Sequence, residues 1–395
     1  MVLDQTNINY FKRTIDELKE LYLYRELKTF DIEDDTNTIN KKYKVQNFSS
    51  NDYLGLSKNK NIVKGLENIV KSFVSQCSSR LISGNSTTIQ NLEKNLSKHR
   101  HTESALVFPN GYMANLGVLS AIGDKDSIIL SDELNHASII DGCKLSNSKI
   151  QIYPHNDFVK LENLIKKSDF KKKIIVTEGI FSMDGDYSNL KEISQVSKDN
   201  NCMLILDDAH GDFVIGDEQS KNYSGIPSFF GKEKDVDIHI SSLSKGLGAF
   251  GGYLASSDLL CEFFINRSRP FIFTSALPDF LCDLASLSID VAKQGTCQQQ
   301  LYSNIDHFYK ILNEYKIFDI DKLRYSPIIP IITGSEKKTL NISMDLMKRG
   351  FYVQAIRYPT VKKDKARLRI SLSANHTHQQ IENMLSEFIK IYKIY

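Results

Sequence analysis

The sequence predicts an α/β protein: a large domain built on a mainly parallel sheet, followed by a smaller α+β C-terminal domain. Three observations carry that expectation. Short apolar runs alternate with longer amphipathic stretches through the middle of the chain, the pattern of strand–helix–strand units whose helices cover both faces of a parallel sheet. Polar residues cluster just after those runs, where open parallel sheets place their ligands. From about residue 286 the pattern changes, and a helical stretch leads to the apolar run Ser326–Ile332, a helix near Leu340–Arg349 and an alternating strand over Arg367–Ser371.

In chain order, Phe11, Ile15, Leu18 and Tyr22 recur at helical spacing among charged residues, which predicts an amphipathic helix in an N-terminal helical segment, residues 1–48. The polar stretch Asp31–Lys44 comes next and ends in the turn-rich Asn47–Gly55. The large domain is expected over 49–285. In it Lys173–Thr177 reads as a buried strand, Leu190, Ile193 and Val196 mark the next helix face, and Met203–Leu206 and Ile238–Ile240 are further strands. The run Lys171–Lys173 is a solvated lead-in to a strand. The small domain closes the chain over 286–395, and no internal repeat is present.

Composition narrows the function classes. The 395 residues carry 50 Lys+Arg against 48 Asp+Glu, a net charge of +2, which lacks the basic excess of a nucleic-acid binder. The apolar runs Met203–Leu206 and Ile328–Ile332 are far shorter than the roughly 18 residues of a membrane span. The start has no basic region followed by an apolar stretch, so no secretory leader is expected. Six cysteines are scattered without a CxxC pair, as in a cytoplasmic protein with reduced thiols. His376 and His378 are spaced like a metal-ligand pair but have no third ligand nearby, so a solvated loop and no metal are expected.

The chemistry lies at the strand ends. Thr177 runs into Glu178–Ser182, Leu206 into Asp207-Asp-Ala-His210, and Ile240 into Ser241–Lys245, followed by Gly246, Gly248, Gly251 and Gly252. One sheet edge thus receives an acid, an acid with a histidine, and a lysine. A lysine in a glycine-rich loop can be a point charge for phosphate, but the P-loop order of residues is absent. It can also form a Schiff base with pyridoxal phosphate, which needs an acid at its ring nitrogen, donors at its phenolic oxygen and a phosphate cradle. Asp207, His210 and Lys245 match that list in type and location. Glu178 either tunes this edge or pairs with an arginine. His155 reads as the cap of the helix after it.

The segments NFSSNDYLGLS (47–57), SRLISGN (79–85), NGY (110–112), DELNHAS (132–138), VTEGIFSMDG (176–185), DDAHG (207–211), SSLSKGLG (241–248), FTSALP (273–278), SPIIP (326–330), AIRYPTV (355–361) and RLRI (367–370) occur in the order and spacing of one family. The chain resembles the α-oxoamine synthases, fold-type I enzymes dependent on pyridoxal 5'-phosphate, along nearly its whole length. The resemblance implies that Lys245 forms the Schiff base and Asp207 meets the pyridine nitrogen. It places His210 and Ser182 at the phenolic oxygen and His136 against the ring. Gly111 and Tyr112 would offer backbone groups, Ser242 a phosphate contact, and Thr274 and Ser275 a contact to the phosphate of a neighbouring subunit, which makes a homodimer. Asn51 and Arg369 would hold the amino-acid carboxylate, and Arg25 and Thr360 would face the acyl group.

The implied reaction joins an amino acid to an acyl-CoA with loss of carbon dioxide. AIRYPTV followed by RLRI points to the branch that uses L-alanine and a pimeloyl thioester in biotin synthesis. The alternatives are a sister enzyme using glycine and acetyl-CoA and, in a different class, a non-catalytic partner subunit, which the presence of Lys245, Asp207 and His210 opposes. Tyr358 and the stretch Val74–Ser78 depart from the family pattern and bear on the acyl pocket.

Overall fold

A computed structural model describes residues 4–33, 36–69, 75–315 and 325–395, so Val74 lies outside the described residues. The backbone divides into two compact units, Asn51–Tyr302 and Met1–Ser50 with Ser303–Tyr395.

In the unit Asn51–Tyr302 a seven-stranded sheet is formed by β1 (Ser104–Phe108), β2 (Ser127–Asp132), β3 (Lys149–Tyr153), β4 (Lys172–Glu178), β5 (Met203–Asp207), β6 (Ile238–Ser242) and β7 (Gly252–Ser256). Their order is β1-β7-β6-β5-β4-β2-β3. All neighbours from β6 through β3 run parallel, and only β7 opposes its neighbours β6 and β1. The expected strands are each longer by one or two residues. The added polar residues belong to the ladder: Glu178 pairs with Asp207 and Ser242 with Gly252. Backbone pairing therefore holds the Cα positions of these residues, as no loop could.

The helix Gly111–Ile122 packs Ala114, Val118 and Leu119 onto Val176, Ile205 and Ile240, all buried. Each valine, leucine or isoleucine buried in this way stabilises the sheet by about 1.5–3 kcal/mol.

In the other unit, Asp4 caps the helix Gln5–Glu20, which buries none of its residues; Phe11, Ile15 and Leu18 are exposed. The helix ends before Arg25. The polar stretch after it forms strands, contrary to its composition: Phe30–Glu33, Thr36–Ile39 and Tyr43–Asn47 pair antiparallel in sequence, and Phe351–Tyr352 adds parallel to the last. Ladder hydrogen bonds make this sheet, and Ile39, Val45 and Met347 form its small core. A second sheet places Ala366–Ser371 between Ile328–Gly334 and Gln354–Ile356, both antiparallel to it. His376 is not solvated. It stacks on Phe48 at 4.2 Å and donates from Nε2 to the Asn47 carbonyl oxygen, and burial pushes its pKa down to about 4.

Among the described residues no helix is long and apolar enough to cross a membrane, and no group of His, Cys, Asp and Glu could hold a metal ion.

Candidate active site

Asp207 ends β5 and is almost fully buried. Its Oδ2 accepts from Asn115 Nδ2 at 2.6 Å and its Oδ1 from the Ala209 N–H at 3.0 Å. A carboxylate with two donors is held as an acceptor in a set direction. The turn after it brings His210 to Lys245, with Nε2 2.9 Å from Nζ. On the other side of the imidazole, Nδ1 lies 2.7 Å from Tyr53 Oη, which donates to Asn51 Oδ1 at 3.0 Å. With the tyrosine proton committed to Asn51, Nδ1–H donates to Tyr53 and Nε2 accepts from the lysine.

His136 precedes the helix Ala137–Leu145. Its backbone N–H donates to Glu178 Oε1 at 2.5 Å, so Glu178 pairs with this amide rather than with an arginine. Burial, reinforced by the neighbouring Asp207, raises the Glu178 pKa well above the ordinary carboxyl value. Burial also lowers that of His136, against the pull of Asp207. The Tyr112 ring stands edge-on to His136 at 6.4 Å, and its hydroxyl donates to Asp141.

Gly111 opens its helix behind the Asn110 cap, and Ser242 ends β6 beside it. A Cβ at Gly111 would lie 3.2 Å from Ser242 Cβ, and one at Gly252 only 2.3 Å from the Gly111 nitrogen. Glycine is what allows helix start and strand to meet here. Ser242 Oγ is 2.8 Å from Ser244 Oγ, so two hydroxyls stand near a helix N-terminus, where backbone amides favour an anion.

Other expected residues have partners of their own. Ser182 sits in the turn after β4, which His155 braces: its Nδ1 is 3.0 Å from Asp132 Oδ1 and its Nε2 2.7 Å from Asp186 Oδ2. Burial acts to lower the His155 pKa, but the two carboxylates outweigh it and hold it at about 10. The helix cap is Asp157, not His155. The Thr274 hydroxyl donates to the Pro270 carbonyl, and the Ser275 backbone bridges to that of Ser79. In the other unit, Arg369 is buried and donates to Ser371 Oγ at 2.9 Å, while Arg25 reaches Thr360 Oγ1 at 3.4 Å.

Sequence reasoning passed over Asn115, Ser138 and Tyr53. One signal was available: Asn115 lies four residues after Gly111, on the same helix face. A second buried cluster also escaped it. Arg100 pairs with Asp208 at 3.4 Å and Asp212 at 3.0 Å, and Asp212 also faces His99 Nε2 at 2.8 Å. Tyr253 joins both sides, accepting from Arg100 Nε and donating to Asp212. The Asp208 carboxylate also fills the space beside Gly179, Gly211 and Gly225, where a Cβ would fall 2.1, 2.3 and 1.7 Å from its oxygens.

Residues 43–388 match the family described as aminotransferase class I and II. The chain belongs to that family. It is 37% identical over 391 residues to the 8-amino-7-oxononanoate synthase of Thermoanaerobacter pseudethanolicus, spanning 98% of each chain. It is 34% identical over 396 residues to 8-amino-7-oxononanoate synthase 2 of Bacillus subtilis, again with 98% of each covered. Among solved structures, Sphingomonas wittichii serine palmitoyltransferase superposes with a TM-score of 0.91 at 27% identity over 99% of both chains. The 8-amino-7-oxononanoate synthase of Francisella tularensis gives 0.73 at 29% identity, over 89% of this chain and 98% of that one. The fold is fold type I, and within the family the chain is an α-oxoamine synthase.

Proposed function

We propose that the chain is a pyridoxal 5'-phosphate-dependent acyltransferase that condenses L-alanine with a pimeloyl thioester, releasing carbon dioxide and forming 8-amino-7-oxononanoate for biotin synthesis. The observation that carries the reading is the amine of Lys245 at 2.9 Å from His210, on the turn that begins at the doubly hydrogen-bonded Asp207. The residues fit the cofactor: an amine for its carbonyl carbon, a carboxylate held as an acceptor, and a glycine-lined helix start with two hydroxyls for its phosphate.

When bound, the cofactor supplies an electron sink for negative charge at the amino-acid Cα. Lys245 Nζ would hold the cofactor's carbonyl carbon and, when free, would be the base for the Cα proton. Asp207 keeps a proton at the ring nitrogen, and its donors Asn115 and Ala209 keep it from rotating away. By resemblance, His210 and Ser182 would serve the phenolic oxygen and His136 the face of the ring. The amides of Gly111 and Tyr112 and the hydroxyl of Ser242 serve the phosphate.

By resemblance, Arg369 and Asn51 take the amino-acid carboxylate, where a guanidinium offers two parallel donors. Arg25 and Thr360 are assigned to the acyl group. Thr274 and Ser275, committed within the chain to Pro270 and Ser79, are assigned to a second subunit's cofactor, which makes the enzyme a homodimer. The enzyme is placed in the cytoplasm.

The sister reading, glycine with acetyl-CoA, keeps the same Lys245 chemistry. One methyl group in a pocket discriminates by only about 1–3 kcal/mol. Thiol release by the cofactor-loaded protein decides between them. L-alanine with pimeloyl-CoA is expected to exceed glycine with acetyl-CoA by at least about tenfold, the lower end of that range. The reverse preference overturns the assignment, and silence with both pairs means that Tyr358 and the stretch Val74–Ser78 select another acyl donor.

A further inference from the structure

We propose that Asn115 is a positioning residue that ties Asp207 to His136 through Ser138, so that the carboxylate for the ring nitrogen and the imidazole for the ring face are set by one chain of hydrogen bonds. The inference rests on the cofactor reading above and extends it to residues that touch neither cofactor nor substrate.

Asn115 is 1% exposed, on the second turn of the helix Gly111–Ile122. Its amide nitrogen donates twice, to Asp207 Oδ2 at 2.6 Å and to Ser138 Oγ at 3.0 Å. Because a carboxylate only accepts, the amide must turn its nitrogen to Asp207. That orientation leaves Asn115 Oδ1 buried without a hydrogen-bond partner among the described residues. An orphaned acceptor is costly, so the two donated bonds are what the arrangement preserves.

The chain has a direction. Ser138 Oγ accepts from Asn115, and its own proton points along the 2.8 Å contact to His136 Nδ1. The Ser138 backbone N–H reaches the same nitrogen at 3.2 Å. Two donors on Nδ1 leave the ring proton on Nε2, so His136 is a neutral imidazole of one tautomer. Burial of His136 favours the same neutral form. A change at Asn115 therefore acts on both Asp207 and His136, whereas a change at Ser138 acts on His136 alone.

The test compares wild type, Asn115→Ala, Ser138→Ala and the double variant by two measurements. The first is the nitrogen-15 spectrum of the His136 ring in the cofactor-free full-length protein. Wild type is expected to show a protonated Nε2 and an unprotonated Nδ1, and both single variants to lose that single form. The second is the dissociation constant for pyridoxal 5'-phosphate by equilibrium dialysis. Asn115→Ala is expected to raise it about tenfold or more, the scale of one hydrogen bond to a buried charge. Ser138→Ala should leave it within about threefold, and the double variant should match Asn115→Ala, because Ser138 reaches Asp207 only through Asn115.

Unchanged His136 signals in both single variants overturn the chain, as does an Asn115→Ala dissociation constant within about threefold of wild type. If Asn115→Ala does not fold, the isosteric Asn115→Asp sets a second carboxylate against Asp207 and must weaken cofactor binding at least as much; unchanged binding there overturns the proposal too. Wild type that takes up no cofactor sinks the functional reading instead, while the ring spectrum still decides whether the chain exists.

Discussion

Between Leu206 and Val214 one stretch of chain supplies two buried polar clusters. Asp207 and His210 go to Asn115, Tyr53 and Lys245, and Asp208 and Asp212 go to Arg100 and His99. The residue types are nearly the same, but the surroundings are not. The Arg100, Asp208 and Asp212 side chains are at most 1% exposed and their opposite charges meet each other directly. Although burial acts to raise it, Arg100 and His99 hold the Asp212 pKa well below the ordinary carboxylate range. Lys245, by contrast, is only half-buried and its neighbour Ser244 is exposed, so that cluster can be reached from outside. A sealed, charge-compensated cluster serves as scaffold, and an accessible one with aligned donors is fit for chemistry.

Three variants test the contrast, from the largest effect to the smallest. Lys245→Ala should cut turnover by at least about a thousandfold, as loss of a nucleophile does. It should also abolish the visible cofactor band that borohydride reduces, while leaving the denaturant midpoint nearly unchanged. A large loss of stability would make Lys245 part of the scaffold after all. Arg100→Met should do the opposite. It strands Asp208 and Asp212 in the interior and should destabilise the fold by about 3–5 kcal/mol in chemical denaturation. A loss below about 1 kcal/mol would mean the cluster is not what holds the turn.

His155→Asn tests an intermediate case, a cation that braces the turn carrying Ser182. Its pKa is raised from 6.5 to about 10, so its contribution is complete below pH 6.5 and fades as pH rises through about 10. The stability gap between wild type and His155→Asn should therefore shrink from pH 6.5 to pH 10. A gap that stays constant across that range would show that the imidazolium charge does not matter.

The contrast also shows what a sequence can reveal. The strands ending at Glu178, Asp207 and Ser242 were legible because buried parallel strands are apolar runs, and the residues just beyond them gather at one sheet edge. Asn115 and Ser138 were not, since a polar residue on a helix acquires its partners only when another strand and helix arrive. His155 was misread because capping is decided by local geometry, and Asp157, two residues on, is the one that fits. The strands Phe30–Glu33 and Thr36–Ile39 were not legible because each spans only four residues within a charged stretch, too few for alternation to stand out.

The three glycines around Asp208 carry a consequence for anyone altering this protein. Gly179, Gly211 and Gly225 lie far apart in sequence, yet one carboxylate occupies the space that a methyl group would need at each of them. At Gly179 and Gly211 tolerance to change is thus conditional on position 208. Alanine at Gly179 or Gly211 should be disfavoured in the native background and become more acceptable after Asp208 is shortened, whereas Gly225, at φ +79°, stays restricted by its backbone, so that mutational scans would record epistasis with position 208 at the first two sites only.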